Sequence, residues 1–73
     1  MALTLPEPIQ EKVAAMPETS YGANRVTLVL KNGRRVFDVD IAWAAEITRV
    51  GGREVKNEQE LGFSLREIVD VTR

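Results

Sequence analysis

Residues 26–39 read Val-Thr-Leu-Val-Leu-Lys-Asn-Gly-Arg-Arg-Val-Phe-Asp-Val, and this stretch decides the fold that we predict. The pair Asn32-Gly33 separates two runs in which apolar residues alternate with other residues, a strong signal for a β-hairpin. A two-residue type I′ turn needs positive φ at both central positions, which Gly adopts freely and Asn more readily than most residues. We therefore predict such a turn, with Lys31 opposite Arg34.

Counting outward from that turn gives the hairpin an inner and an outer face, because side chains alternate along a strand. The predicted inner face holds Val26, Leu28, Phe37 and Val39. On the outer face we predict Val29 opposite Val36, Thr27 opposite Asp38 and Arg25 opposite Asp40. Because Val29 and Val36 would form an apolar pair away from the main core, we predict that they take part in self-association.

The rest of the chain divides into short segments around this hairpin. Thr4 and Glu7 have the spacing of a capping box, and apolar residues at helical spacing continue to Pro17, which predicts a helix over about residues 6–16. Strands are predicted at about residues 25–31, 34–41, 46–50 and 68–72, and the turn signal Gly51-Gly52 is compatible with a further short strand at 53–55. For residues 41–45 the pattern leaves strand, corner and helical turn open.

These segments predict a single small domain over residues 1–73 that is mainly β, of the α+β type. An N-terminal helix precedes a bent antiparallel sheet, which we predict to close into a small five-stranded barrel. Trp43 is expected to plug the core at the corner after the second strand. The predicted core contains Val26, Leu28, Phe37, Val39, Ile41, Trp43, Ile47, Phe63, Leu65, Ile68 and Val71.

Composition excludes several kinds of chemistry. The 73 residues include neither cysteine nor histidine, which removes disulfides, thiolate nucleophiles, the common zinc sites and histidine-based catalysis. Ten basic and eleven acidic residues give a net charge of −1, which argues against a surface built as a whole for nucleic acid or anionic membrane. We predict no enzymatic activity, no cofactor and no metal site.

Two features of the sequence bear on location. Residues 1–10 contain no basic residue and two prolines, which argues against a signal peptide. The longest apolar run, Ile41 to Ala45, is far too short to span a membrane. We therefore expect a cytoplasmic protein with no membrane partner.

Charged residues offer two candidate sites. Lys31, Arg34 and Arg35 cluster at the hairpin tip, where they would either contact phosphate or another anion, or simply keep the hairpin soluble. Asp38 and Asp40 lie two residues apart on one strand and have the chemistry of cation ligands. Their predicted cross-strand partners favour ordinary strand pairing instead.

The order of elements and the hairpin sequence Val26 to Arg34 resemble the opening of Sm-like small barrels. The resemblance implies a strongly bent five-stranded barrel, commonly assembled into rings that bind single-stranded RNA. The RNA-pocket residues of that family are absent here, since residues 40–43 supply no Asn and residues 62–66 lack the family's Arg-Gly or Lys-His pair.

We accordingly expect a small non-catalytic protein-interaction module, with an Sm-like oligomeric binder of single-stranded RNA that uses the basic hairpin tip as the alternative. A chain of this length without disulfides has a marginal core, and association would add burial. We predict a homo-oligomer, with a dimer favoured because two-fold closure is the commonest symmetry, and a ring as the alternative.

Overall fold

The computed structural model describes residues 3–17 and 22–73 and shows one α-helix followed by a five-stranded antiparallel sheet. Two short 3₁₀ helices, Glu58–Leu61 and Leu65–Glu67, precede the last strand. Helix α1 spans Glu7–Ala14. The strands are β1 (Ala23–Leu30), β2 (Arg35–Ala42), β3 (Glu46–Val50), β4 (Arg53–Glu54) and β5 (Ile68–Thr72). The predicted mainly β class with a single N-terminal helix is confirmed, and the ends of these elements lie within two residues of the predicted ends.

The strands lie in the order β4-β3-β2-β1-β5, so β5 returns to pair with β1. Among the described residues, β4 and β5 are the two outer strands and do not pair with each other. The sheet is therefore bent but not closed, and the predicted barrel is not confirmed. The strand β4 is only two residues long, so it presents few backbone groups to any closing partner.

The β1–β2 register agrees with the prediction at one end and departs from it at the other. Val26 lies opposite Val39, as predicted, but Leu28 lies opposite Val36 instead of Phe37. Similar shifts interrupt the β1–β5 and β2–β3 ladders. Such bulges increase the local twist, which lets a small sheet curl around its core.

The β1–β2 shift is a bulge in which Phe37 and Asp38 together oppose Thr27. Asp38 has φ 55°, a left-handed conformation that Asp tolerates better than most residues. Between the tip and this bulge, β2 is shifted by one residue from the predicted register. Val36 therefore faces the core and is buried, whereas Phe37 is 61% exposed. The predictions of an inward Phe37 and an outward Val36 are therefore wrong.

One apolar cluster fills the space between the sheet, α1 and the loop after β4. The predicted core is correct for Val26, Leu28, Val39, Ile41, Ile47, Phe63, Ile68 and Val71, which are all buried. Leu65 packs against this cluster while only partly buried, and Trp43 is exposed, contrary to the prediction. The cluster also contains residues that the prediction omitted: Leu3, Leu5, Ile9, Val13, Leu30, Val36, Val55 and Leu61.

The segment before α1 explains why Trp43 is not needed in the core. The Leu5 N–H donates to the Ala45 carbonyl at 2.8 Å, and the Ile47 N–H donates to the Leu3 carbonyl at 2.9 Å. These bonds fix the segment along the start of β3, where Leu3 and Leu5 are buried. They close the end of the core at which we expected the tryptophan.

The predicted capping box at Thr4 does not form. Pro6 is the N-cap residue of α1 and makes no side-chain capping bond, while Thr4 instead bridges to Glu46 of β3. A capping box does occur at Ser64, where the Ser64 Oγ accepts a hydrogen bond from the Arg66 N–H and the Glu67 carboxylate accepts one from the Ser64 N–H. Thr4 thus pairs with β3 as a strand residue and does not serve as the N-cap of α1.

Candidate interaction surfaces at the two ends of β2

The hairpin tip, residues 31–35, precedes and begins β2, and its loop has three residues instead of the predicted two. The Leu30 N–H donates to the Arg34 carbonyl at 2.8 Å, and the Gly33 N–H donates to the Leu30 carbonyl at 2.9 Å. Gly33 has φ 86°, and Asn32 is not left-handed. This is the three-residue hairpin loop that ends in a left-handed glycine. The predicted pairing of Lys31 with Arg34 is therefore wrong.

Asn32 stabilises this loop through its side chain. Its Oδ1 accepts a hydrogen bond from the Arg34 N–H at 2.9 Å, so the side chain replaces a backbone acceptor within the turn. The loop consequently keeps Lys31 and Arg34 on an exposed, well-defined backbone.

The three predicted site cations, Lys31, Arg34 and Arg35, are all exposed at this tip. A hydrogen bond from the Lys31 N–H to the Glu67 carbonyl, 2.8 Å long, brings the segment that carries Arg66 beside the tip. Among the described residues, none of these four cations forms an ion pair with a carboxylate. The tip is thus a cluster of cations without a carboxylate partner in the described part of the chain, and Arg34 Nη1 donates a hydrogen bond to the Gly62 carbonyl at 3.5 Å.

The other arginines that the sequence offered are not gathered there. Arg49 lies opposite Asp40 in the β2–β3 ladder, toward the far half of β2. Arg53 lies on β4, which β2 and β3 separate from β1. The basic surface is consequently confined to the tip and its immediate neighbour.

The opposite end of β2 carries an unusual turn over residues 42–45. The Ala45 N–H donates to the Ala42 carbonyl at 3.0 Å, and the two central residues, Trp43 and Ala44, have φ 53° and 61°. Positive φ at both central positions is the pattern of a type I′ turn, which Asn and Gly normally occupy. Each non-glycine residue in this conformation costs about 1–2 kcal/mol.

The indole of Trp43 lies against Gly22. A Cβ atom built on Gly22 would be 2.8–3.0 Å from three atoms of the indole ring, closer than packed carbon atoms approach. The Trp43 N–H of the backbone donates to the Gly22 carbonyl at 2.8 Å. The ring is therefore held in place by a residue without a side chain, and Trp43 is nevertheless 69% exposed.

This ring borders an open groove of about 320 Å³ between the turn and α1, which we call the Trp43 groove. Its lining residues are Glu7, Gln10, Glu11, Ala14, Trp43 and Ala44. Glu7 and Glu11 are one helical turn apart and exposed, and in the described part of the chain neither forms an ion pair. An indole and two carboxylates together favour a cationic ligand.

Sequence reasoning missed this site because it placed Trp43 inside the core. Ala-Trp-Ala-Ala contains no residue that prefers a turn, so the sequence carried no signal for the turn that exposes Trp43. Of the two acidic residues that line the groove, Glu7 was assigned in the sequence to a capping box and Glu11 to no site.

A larger cleft of about 630 Å³ follows the outer edge of β3. Its described lining mixes both signs of charge, with Glu46 and Glu54 near Arg49 and Lys56, above the buried side chain of Val55. Because positive and negative side chains both line the cleft and its described lining includes no aromatic ring, the cleft does not favour one class of ligand. The smaller Trp43 groove is chemically more specific.

The remaining sequence candidates do not form a site. Asp40 accepts a hydrogen bond from Arg25 Nε at 3.0 Å, as predicted, and this contact raises the pKa of Arg25. Asp38 is exposed at the bulge. In the described ranges no group of three or more possible metal ligands occurs.

The predicted apolar pair Val29–Val36 is not formed, because the three-residue loop shifts this part of β2 by one residue against β1. Val29 lies opposite Arg35 on β2 and Asp70 on β5, and it is half-buried. Val36 is buried in the core. The predicted self-association stays a prediction.

An ion pair joins α1 to the sheet. Lys12 Nζ lies 2.6 Å from Asp70 Oδ1, and the Val71 N–H also donates to this oxygen at 2.8 Å. The hydrogen bond from Lys12, with that from the Val71 backbone, holds the pKa of Asp70 below its ordinary value. The helix that forms one wall of the Trp43 groove is thus attached to β5 by a charge contact.

Comparisons with known proteins identify no relative: no family model, curated protein or solved structure matches this chain. Within the described residues, no helix has both the length and the apolar character needed to cross a membrane.

Proposed function

We propose that this protein is a small, non-catalytic interaction module that binds a cationic segment of a protein partner in the Trp43 groove. The proposal depends mainly on one observation. Trp43 occupies a left-handed position that costs stability, yet the large side chain there is mostly exposed. An exposed indole that borders two exposed carboxylates forms a surface suited to a cationic side chain.

The groove supplies the interactions that a lysine or arginine side chain needs. A guanidinium group over an indole gains about 0.5–1 kcal/mol at an exposed site, and carboxylates add charge-assisted hydrogen bonds. Glu7 and Glu11 provide these carboxylates on the wall opposite the ring. The lack of histidine and cysteine in the whole sequence supports the non-catalytic assignment, and the lack of cysteine fits a cytoplasmic setting.

Intrinsic fluorescence provides a direct test, because Trp43 is the only tryptophan. We expect a tri-arginine peptide without aromatic residues to change the emission saturably, and a tri-glutamate peptide to leave it unchanged. The variant Glu7→Gln/Glu11→Gln should weaken the peptide affinity by about tenfold while leaving the circular dichroism spectrum unaltered. If the cationic peptide leaves the Trp43 emission unchanged at every concentration, the proposal is refuted.

The hairpin tip supports a second candidate, an Sm-like oligomeric binder of single-stranded RNA. Its specific support is the set of exposed cations without carboxylate partners at residues 31, 34 and 35. In this alternative β4 and β5 would meet in a closed barrel within the assembled protein.

Fluorescence anisotropy with labelled single-stranded RNA across a salt series tests this alternative. If the three tip cations contact phosphates, the affinity should fall steeply with salt, and Lys31→Ala/Arg34→Ala/Arg35→Ala should flatten the log–log slope by about 2. The matched variant Arg53→Ala/Arg73→Ala, which removes charge away from the tip, should keep the slope. Binding that is absent, or that both variants affect equally, excludes the tip as an RNA site.

A further inference from the structure

The Trp43 groove and the basic hairpin tip lie at opposite ends of the same eight-residue strand, β2. The strand runs from Arg35, at the tip, to Ala42, which directly precedes Trp43. One end thus presents two carboxylates and an indole, and the other presents three cations. Because the whole strand lies between the two surfaces, a second copy of the chain can bring one surface onto the other.

We propose that the ligand of the Trp43 groove is the hairpin tip of a second copy of this chain, an inference that rests on the proposed function of the groove. The tip offers what the groove selects: Arg34 and Lys31 on an exposed turn, with Arg35 directly after them. A guanidinium group stacks on an indole and forms forked hydrogen bonds with carboxylates, so arginine suits this groove particularly well.

This charge contact differs from the apolar contact through Val29 and Val36 that the sequence predicted. Val36 is buried, and Phe37 is the exposed apolar residue in its place. Contacts between opposite ends of two antiparallel copies would close a two-fold dimer with two identical tip-in-groove contacts. The same contact repeated in one direction would build a ring or chain.

The experiment exchanges the charges of the two ends in separate variants. The groove variant is Glu7→Lys/Glu11→Lys, and the tip variant is Lys31→Glu/Arg34→Glu/Arg35→Glu. In light scattering coupled to size exclusion at low salt, the wild-type chain of 8.2 kDa should elute at twice this mass or more. Each variant alone should be monomeric, with self-affinity reduced by at least about tenfold, because both of its ends now carry the same sign.

Mixing the two variants is the decisive step, because every end of one is then complementary to an end of the other. We expect the mixture to restore association and to lose it again at high salt. The matched controls Glu54→Lys and Arg53→Glu/Arg73→Glu change exposed charges outside both surfaces and should associate like the wild type. Circular dichroism establishes that each variant is folded before it is mixed.

The outcomes separate this inference from the proposed function. A wild-type chain that stays monomeric, a reversed variant that still associates, or a mixture of folded variants that stays monomeric overturns the tip-in-groove contact. The proposed function is judged independently by the response of Trp43 fluorescence to the tri-arginine peptide. A peptide response together with a monomeric wild type would retain the groove and reject the second copy as its partner.

Discussion

The two turns at the ends of β2 differ in how well their residues suit the conformations they adopt. At the tip, Asn32-Gly33 has the best local chemistry for a type I′ turn, but the chain forms a three-residue loop there. At the other end, Trp43-Ala44 has poor chemistry for such a turn, yet both residues take its positive φ values. The tip places a glycine at its left-handed position, whereas the other turn places two non-glycine residues there, so only the tip follows local turn preference.

The two possible loops bury different side chains of β2. A two-residue turn would direct Phe37 inward and Val36 outward, whereas the three-residue loop buries Val36 in the apolar cluster and leaves Phe37 exposed. The bulge at Phe37-Asp38 then returns the strand to the predicted register. Leu30 lies on the same face as Val26 and Leu28 in either register, so the two loops differ in the burial of Val36 or Phe37.

The largest expected effect tests this register directly. Leu28 is fully buried opposite Val36, so Leu28→Ala should lower the free energy of unfolding by about 2–5 kcal/mol in chemical denaturation. Phe37 points outward, so Phe37→Ala should change it by less than about 0.5 kcal/mol although it removes a larger side chain. If Phe37→Ala lowers the free energy of unfolding as much as Leu28→Ala does, the bulge is contradicted and the predicted two-residue turn is supported.

The second effect concerns the end that carries Trp43. Gly22→Ala would place a methyl group against the indole ring and force a left-handed alanine at φ 69°. We expect a loss of about 1–3 kcal/mol, together with a shift of the Trp43 emission as the ring moves. Unchanged stability and emission would show that the ring does not lie on Gly22.

The third effect compares the two turns by opposite substitutions. Ala44→Gly should stabilise the protein by about 0.5–1 kcal/mol, because glycine relieves the left-handed strain at φ 61° but loses more entropy on folding. Gly33→Ala should destabilise it by about 1 kcal/mol, since nothing within 4 Å would contact the added Cβ and only the strain at φ 86° remains. Effects of the same sign at both positions would contradict this account of the turns.

Much of the fold followed from the sequence. The alternation in β1 and the glycine pair at residues 51–52 placed the strands, and helical spacing before Pro17 placed α1. Bulges were not predictable, because a single extra residue leaves the apolar pattern readable in two registers. The exchange between Phe37 and Val36 followed from this ambiguity.

The candidate site was predicted in part. The cations of the tip could be identified from the sequence because they are adjacent to a turn signal. The Trp43 groove could not, because it depends on a tertiary event: Leu3 and Leu5 close the end of the core and leave the tryptophan outside. A sequence pattern ranks Trp43 as a core residue on hydrophobicity alone, and only the packing of the N-terminal segment decides against it.

The smallest expected effect tests whether the helix that lines the Trp43 groove is held in place by its charge contact with β5. The pKa of Asp70 is lowered in the folded protein, chiefly by Lys12, so the unfolded chain binds the proton more tightly. The contribution of this pair is therefore complete above the ordinary aspartate pKa of about 3.9, and it is lost as the pH falls from there through the lower folded pKa. Both side chains are about half exposed, so the change should be modest and weaker in high salt.

Urea unfolding of the wild type and of Asp70→Asn over this pH range measures the effect. The free energy of unfolding should fall less with acid in the variant than in the wild type. Asp38→Asn, at an exposed carboxylate without such a contact, is the matched control and should lose stability like the wild type. If Asp70→Asn follows the wild-type curve throughout, the ion pair does not hold α1 against the sheet, and the groove is positioned by the burial of Ile9 and Val13 alone.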